Sequence, residues 1–327
     1  MKKQVKRTLS LALAFIMLLS VCAVVSASAK VADNTVKVIV KNEMFTEESG
    51  APWTGVLVDT YVALNDTDSV ESVLERVIMD KNYEIIVSDY GYISSINGLA
   101  EYAANGSGGW MATLNDWFTS DATTAYTVEN GGLKAGDEIV MQYSCSWGSD
   151  IGSLYGDFNT SLQGLTVENG ALAQSFSPSV TNYILLLDSD EKEVTVTPEA
   201  FNKNYQVRTY LNDYQLTGDS QLPYNKPVTV KDGDTVYIGI GNPAWPSMNS
   251  WAGTAEETVY TLHVSSRPFG DLDGNGKANI NDATLLQRHL AEFITLDDAQ
   301  LAIADLDGDG NVTINDVTVL QCFLAEM

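Results

Sequence analysis

One loop-and-helix unit occurs twice in the last sixty residues of the chain. The loop at 271–276 (DLDGNG) recurs at 305–310 (DLDGDG), and the same shift of 34 positions aligns the apolar residues of the segments that follow. A duplication that keeps its register through both the loop and the helix indicates a repeated structural unit. The pattern therefore restricts residues 268–327 to two copies of a loop followed by a helix.

Each loop follows the pattern D-x-[DN]-x-[DN]-G, in which alternating oxygen-bearing side chains surround a hard cation and a glycine makes a sharp turn. The pattern predicts two Ca2+ ions, one in each loop. The ligands expected in the first loop are Asp271, Asp273, Asn275, the carbonyl of Lys277, Asn279 through water, and Asp282. Those expected in the second loop are Asp305, Asp307, Asp309, the carbonyl of Asn311, Thr313 and Asp316.

The repeat differs from an ordinary EF-hand, because an aspartate closes each loop and the segment 267–270 (RPFG) cannot continue a helix into the first one. This truncated, duplicated arrangement resembles a type I-like dockerin over about residues 268–327. Dockerins anchor secreted proteins to cohesin domains of a scaffoldin in the polysaccharide-degrading complexes of anaerobic bacteria. The resemblance implies an all-α calcium-binding domain and a cohesin partner.

The same resemblance places the cohesin-binding residues beside the last calcium ligand of each loop and in the helix that follows. They are Ile280, Asn281, Gln287 and Arg288 in the first repeat and Ile314, Asn315, Gln321 and Cys322 in the second. Isoleucine at the first of these positions departs from the Ser or Thr often found in the family. The type of cohesin therefore stays open.

The amino terminus predicts export. Basic residues within positions 2–7 precede an apolar run over 9–25, and 27–29 (ASA) matches a small-x-small cleavage site. We expect residues 1–29 to be a secretory signal peptide and the mature protein to be extracellular or part of a cell-surface complex. No later stretch reaches the ~18 apolar residues of a membrane span.

The net charge limits the partners that we expect for this chain, and the cysteine content limits the expected disulfide bonds. Residues 1–29 hold four of the 18 basic residues and none of the 43 acidic ones, so the mature chain would carry a net charge of −29. This charge argues against nucleic acids and anionic surfaces as partners, because a protein binds either of them through basic patches. Cys145 and Cys322 fall in different predicted domains, so we expect no disulfide framework.

Residues 30–158 are expected to form an α+β domain. Strands are predicted at 36–40, 83–87, 109–114 and 138–143, and Asp68-Ser69 is predicted to cap a helix over 70–78. The motifs GWxxxLN at 109–115 and LxxGDEIV at 133–140 resemble the bacterial domain related to the C-terminal part of transcobalamin and intrinsic factor. This resemblance covers about residues 34–147 and implies the fold, with the ligand left open.

Residues 159–265 are expected to form a β-sandwich. The motifs LxxLxVxNGxL at 162–172, FSPxxTNY at 176–183 and YTLHV at 260–264 resemble the cadherin-like repeat common in secreted bacterial proteins. Alternating segments at 194–198, 228–230 and 235–240 predict half-buried strands between them. The fold class expected for the whole chain is thus multidomain and mainly β, with an all-α dockerin at 268–327.

The sequence lacks recognisable catalytic motifs. His263 and His289 lie near no nucleophile elbow, metalloprotease helix or cysteine nucleophile, and no phosphate-binding loop occurs. We therefore expect a protein that is not an enzyme. A glycoside hydrolase that uses only two carboxylates stays open as an alternative, because Asp and Glu are abundant.

Aromatic side chains are the better functional lead, because flat indole rings stack against the apolar faces of sugars. All six tryptophans lie between residues 53 and 251, several of them among turn residues. The expected carbohydrate-binding residues are Trp245, Trp251, Asn242 and Asn249 in segment 241–253, followed by Trp147, Trp53 and Trp117. Burial of these indoles in a core is the alternative for each of them, and we predict it for Trp110 on its alternating strand.

These lines together predict a secreted, non-catalytic accessory subunit of a cohesin–dockerin complex of the cellulosome or amylosome kind. Its expected ligand is a plant polysaccharide, with starch or another α-glucan favoured. Two alternatives from other classes stay open, a structural spacer and a carrier of a corrinoid or other small ligand.

Overall fold

The computed structural model describes residues 34–88, 91–214 and 221–326. The expected signal peptide lies outside these residues. The described part of the chain is mainly β, with sixteen strands in four sheets and four α-helices. No helix among the described residues is long and apolar enough to cross a membrane.

A mixed five-stranded sheet is the centre of the amino-terminal part. The strands of this part are β1 Thr35–Asn42, β2 Gly55–Ala63, β3 Ile85–Val87, β4 Ile93–Ile96, β5 Leu99–Ala100, β6 Gly109–Leu114, β7 Trp117–Phe118 and β8 Glu138–Ser144. The order in the five-stranded sheet is β2-β1-β8-β6-β7, and β1 pairs with β8 in parallel. A second sheet of three short strands has the order β3-β4-β5.

Helix α1, Val70–Asp80, begins at the predicted cap. The Ser69 hydroxyl accepts a hydrogen bond from the Ser72 amide at 3.1 Å, and the Ser72 hydroxyl accepts one from the Ser69 amide at 2.9 Å. The apolar stripe of the helix is buried in the same core as one face of the sheet. Trp110 belongs to that core, which confirms its predicted burial.

The second part has two sheets around a separate core. The strands are β9 Leu162–Glu168, β10 Ala171–Leu172, β11 Asn182–Leu186, β12 Glu191–Ala200, β13 Val207–Leu211, β14 Val228–Lys231, β15 Thr235–Ile240 and β16 Thr258–Ser265. One sheet has the order β10-β11-β16-β15-β13, in which β11 pairs with β16 in parallel, and the other has the order β14-β12-β9. The predicted strands at 194–198, 228–230 and 235–240 lie within β12, β14 and β15, and the motif at 260–264 lies within β16.

The carboxyl-terminal part has helices α2 Ile280–Leu290, α3 Asp298–Ala302 and α4 Ile314–Glu326. Helices α2 and α4 follow the two acidic loops, as the repeat predicts, and pack around a shared apolar core. The short α3 was not predicted, although its start carries a sequence signal. Asp297 and Gln300 form a capping box, each accepting a hydrogen bond from the other's backbone amide.

Direct contacts join the amino-terminal part to the second part. Lys203 donates a hydrogen bond from Nζ to Asp116 at 2.7 Å, and the amide of Phe118 donates to the carbonyl of Lys203 at 2.7 Å. Burial raises the pKa of Asp116, and the positive charge of Lys203 acts against that shift. The ion pair therefore offsets part of the cost of burying this carboxylate at the junction.

Candidate functional site

The first acidic loop is closed by its own carboxylates. Side-chain oxygens of Asp271, Asp273 and Asp282 lie within 4.8 Å of one another. Asp271 accepts hydrogen bonds from the amides of Asn275 at 3.1 Å and Gly276 at 2.7 Å, and Asp282 accepts one from the amide of Asp273 at 3.0 Å. These bonds turn the chain around one point and direct the carboxylates toward it.

The second loop repeats the arrangement. Side-chain oxygens of Asp305, Asp307 and Asp309 lie within 4.8 Å of one another. Asp305 accepts from the amides of Gly308 and Gly310, both at 2.8 Å. The closing Asp316 is fully buried and bonds the amides of Leu306, Asp307 and Thr313.

The donor set of both loops suits calcium. Calcium takes six to eight oxygen ligands, and each loop gathers carboxylates with amide, hydroxyl or carbonyl oxygens close by. In the second loop, burial, together with the negative charges of Asp316 and Asp307, raises the pKa of Asp305 to about 6. A bound divalent cation would compensate for this crowding of negative charge.

The remaining predicted ligands occupy places consistent with the loop pattern. The amide of Lys277 donates to the side chain of Asn275 at 3.1 Å, and Asn279 caps α2. The amide of Asn311 donates to Asp309 at 2.8 Å, and Thr313 accepts from the amide of Asn315 at 3.1 Å. Both loops are thus pre-shaped by internal hydrogen bonds.

All eight predicted cohesin-binding residues are exposed. Ile280 and Ile314 occupy equivalent positions at the start of α2 and α4, and each is 62% exposed. An apolar side chain this open at the same place in both repeats suits a protein contact. The structure therefore presents two similar faces.

The structure corrects the prediction of solvent-facing indoles at three of the tryptophans. Trp245 is only 6% exposed, because the guanidinium of Arg208 lies 4.5 Å from its ring centroid and the loop folds over it. Trp53 is buried by stacking on Trp110, with ring centroids 5.9 Å apart. Trp117 is buried in edge contact with Tyr126.

The two predicted asparagine neighbours are also buried, so neither faces solvent as expected. Asn242 donates to the carboxylate of Glu257 at 2.8 Å and accepts from the amide of Ala244. Asn249 is fully buried and bonds both the interdomain segment 154–157 and the hydroxyl of Tyr205. Both asparagines therefore have a structural role, because they shape the loop 241–253.

Trp251 and Trp147 are the predicted tryptophans that face solvent, at 92% and 69% exposure. Trp251 projects from the turn in which the Asn249 carbonyl accepts from the amides of Ala252 and Gly253. Trp147 has φ of +52°, a left-handed conformation that is unusual for a bulky residue. Exposure combined with backbone strain is typical of a functional position.

A buried polar network connects the segments that carry these two tryptophans. The amide of Ser153 donates to the carbonyl of Gly148 at 2.9 Å, next to Trp147, and the Ser153 hydroxyl donates to Asn204 at 2.7 Å. Asn204 in turn donates to Asn249 at 3.0 Å. The network therefore joins the two backbone segments that carry the exposed indoles.

Sequence reasoning missed three further exposed aromatics along this network. They are Tyr155, Phe158 and Phe201. Asp157, in the segment of the first two, accepts from Asn202 and Asn249 through its carbonyl, and a Cβ on Gly253 would lie 3.0 Å from the Phe158 ring. No periodic pattern marks these residues, since they lie in irregular segments. We call Trp147, Tyr155, Phe158, Phe201 and Trp251 the aromatic surface.

Comparison with known families identifies the carboxyl-terminal part. The type I dockerin domain family matches residues 269–325. These residues are therefore a type I dockerin domain, which confirms the resemblance drawn from the duplicated loops. A dockerin implies a cohesin partner, calcium binding and a place in a cohesin–dockerin complex. No curated protein matches the chain.

Proposed function

We propose that this protein is a secreted, non-catalytic accessory subunit that binds polysaccharide and is carried to its complex by the dockerin. Each acidic loop takes one Ca2+, so the dockerin holds two ions. The amino-terminal part is proposed to be transcobalamin-C-like, and residues 159–265 to be a cadherin-like sandwich. In this view the two β-containing parts together present the glycan-binding surface.

The observation that carries the glycan proposal is Trp251, whose indole is 92% exposed on a loop fixed by the fully buried Asn249. Single exposed apolar residues are ordinary on protein surfaces, but these five aromatics lie in segments that one buried hydrogen-bond network joins. Flat rings held on rigid backbone lose little conformational entropy on stacking against sugar. The surface thus supports binding rather than packing.

The expected ligand is a neutral polysaccharide. The mature chain would carry a net charge of −29, which disfavours acidic glycans such as pectin through repulsion. Neutral pyranose rings have apolar C–H faces that match the aromatic surface. Starch is the first glycan to test, followed by xylan and β-glucan.

Affinity electrophoresis of the chain lacking residues 1–29 tests the proposal. The protein is run in separate gels that contain starch, xylan, β-glucan or pectin. We expect its migration to be retarded by at least one neutral glycan, and starch is the first one expected to do so. Trp251→Ala and Trp147→Ala should each reduce that retardation. Phe293→Ala is the matched control, because Phe293 is a 78% exposed aromatic of the dockerin and is not one of the five residues of the aromatic surface.

Electrophoresis, a reducing-sugar assay and a cobalamin titration together separate the alternatives. Unretarded migration in every gel would refute glycan binding and favour a spacer. Release of reducing sugar from a retained glycan would refute the non-catalytic role and favour a glycoside hydrolase. A spectral shift of added cobalamin would favour a corrinoid carrier.

A small apolar cavity bears on the small-ligand alternative. It has a volume of about 280 Å³, is lined by Trp110, Phe118 and Met141, and Met248 from the second part reaches its edge. Pockets for drug-sized ligands hold about 300–1,000 Å³. The cavity is therefore at the small end of that range, which disfavours a ligand as large as a corrin ring.

A further inference from the structure

One residue of the second part is buried on the face of its sheet that points away from that part's own core. In β11, Tyr183 and Leu185 point into the core of the second part, while Ile184 points to the opposite side of the sheet. Ile184 is nevertheless only 3% exposed, because it belongs to the apolar core of the dockerin with Leu306 and Leu320. The dockerin therefore uses the outer face of β11 to complete its core.

The second calcium loop lies directly against this strand. A Cβ at Gly308 would lie 2.5 Å from the carbonyl oxygen of Asn182 and 2.5 Å from Cγ1 of Val180. The side-chain amide of Gln174 donates to the carbonyl of Asp305 at 3.4 Å, and its oxygen accepts from the amide of Ile184 at 3.0 Å. The loop backbone and the strand are thus in van der Waals and hydrogen-bond contact.

The first calcium loop has open surroundings at its equivalent glycine and serves as an internal reference. Gly274, the equivalent of Gly308, has the same left-handed backbone, with φ of +72° against +76°. A Cβ at Gly274 would meet only the side chain of Arg267, at 3.5 Å, and one at Gly276 would meet nothing within 4 Å. The two equivalent glycines therefore share a backbone conformation but differ in their surroundings.

We propose that the second calcium loop is also the joint that fixes the dockerin to the neighbouring β-sheet. The backbone turn that presents Gly308 to Val180 and Asn182 is the one that the Asp305 carboxylate holds through the amides of Gly308 and Gly310. Without a cation, the clustered carboxylates repel one another and loosen this turn. Calcium binding and docking on β11 thus stabilise each other.

This coupling is reciprocal. If calcium strengthens the contact with β11, the contact must raise the affinity of the second loop for calcium by the same factor. Weakening the contact should then lower the affinity for one of the two ions and leave the other ion unaffected. The inference rests on the proposed calcium binding and is independent of glycan binding.

Calorimetric titration with Ca2+ of the chain lacking residues 1–29 measures the coupling. Ile184→Thr keeps a β-branched side chain in the strand but weakens the apolar contact, and should lower the affinity for one ion on the order of tenfold. Ile86→Thr is the control, because Ile86 is an exposed isoleucine in β3. Unchanged affinities for both ions in Ile184→Thr would overturn the proposal.

A matched pair of glycine substitutions gives an independent readout. Gly308→Ala and Gly274→Ala carry the same backbone strain, but only Gly308→Ala inserts a methyl group against β11. Hydrogen exchange of the 180–186 amides should slow several-fold when calcium replaces excess EGTA, and Gly308→Ala should abolish more of that protection than Gly274→Ala. Equal effects of the two substitutions, or no calcium-dependent protection of β11, would refute the joint. Absence of any calcium uptake would refute the calcium sites themselves.

Discussion

Replacement of Asn249 by alanine should destabilise the second part of the protein and disorder the loop that carries Trp251. The Asn249 side chain is fully buried and makes five hydrogen bonds. It donates to the carbonyls of Leu154 and Asp157 and to the hydroxyl of Tyr205, and it accepts from Gly156 and Asn204. One side chain thus connects three separate segments of the chain.

The expected loss of stability follows from these contacts. A typical intramolecular hydrogen bond contributes about 1 kcal/mol net, and a buried partner left without a bond costs about 1–3 kcal/mol. Water that enters the vacated space would satisfy part of the network. We therefore expect Asn249→Ala to lower the free energy of unfolding by about 3 kcal/mol.

Urea denaturation followed by tryptophan fluorescence measures this loss. Asn159→Ala is the control, because Asn159 is exposed, accepts one hydrogen bond from the amide of Ser161 at 2.9 Å, and should lose less than about 1 kcal/mol. Asn249→Ala should also weaken glycan retention without removing an aromatic ring. A loss below about 1 kcal/mol for Asn249→Ala would refute the role assigned to the network.

Two further predictions concern ion pairs. Arg76 donates to Asp68 at 2.7 and 2.8 Å and lowers the pKa of Asp68 to about 2. The pair should therefore contribute about 1–2 kcal/mol to the free energy of unfolding above pH ~4, and this contribution should be lost as the pH falls through ~2. Thermal unfolding of Asp68→Asn should show a loss of stability at pH 7 that vanishes near pH 2, and a loss that stays constant with pH would contradict this. Lys203→Met should lower the free energy of unfolding by about 1–2 kcal/mol, because it leaves Asp116 without its partner. Adding Asp116→Asn to the same chain should restore part of that stability, as measured by calorimetry. Additive losses of stability in the double variant would contradict the pairing.

Local signals in the sequence were sufficient for the elements that depend on neighbours in the chain. Ser69 identified the start of α1, because an N-cap and its box lie within four residues. The acidic loops could be predicted for the same reason, since each predicted ligand set lies within twelve residues. The alternation of Trp110 with Ala112 and Leu114 placed it in the core.

The sequence could not reveal contacts made across long separations. Trp245 lies in a Pro- and Asn-rich loop that is typical of exposed segments, yet Arg208 from β13 covers it. The contact between the dockerin and β11 could not be predicted for the same reason. The one sequence signal for it is the run of consecutive apolar residues at 183–187, which is typical of a strand buried on both faces. Exposure of a loop aromatic is thus a property of the whole fold rather than of its local sequence.

The two surfaces of the dockerin that are predicted to face cohesin are similar in sequence and equally exposed at Ile280 and Ile314, although the second loop is packed against β11. A cohesin that recognises one face should therefore also recognise the other, with the rest of the molecule pointing in a different direction. Substituting Ile280 and Asn281 alone, or Ile314 and Asn315 alone, should lower cohesin affinity less than about threefold, because the intact face still docks. Substitution of both faces should abolish binding in a surface plasmon resonance assay. A large loss from changing Ile280 and Asn281 alone would instead assign docking to the first repeat.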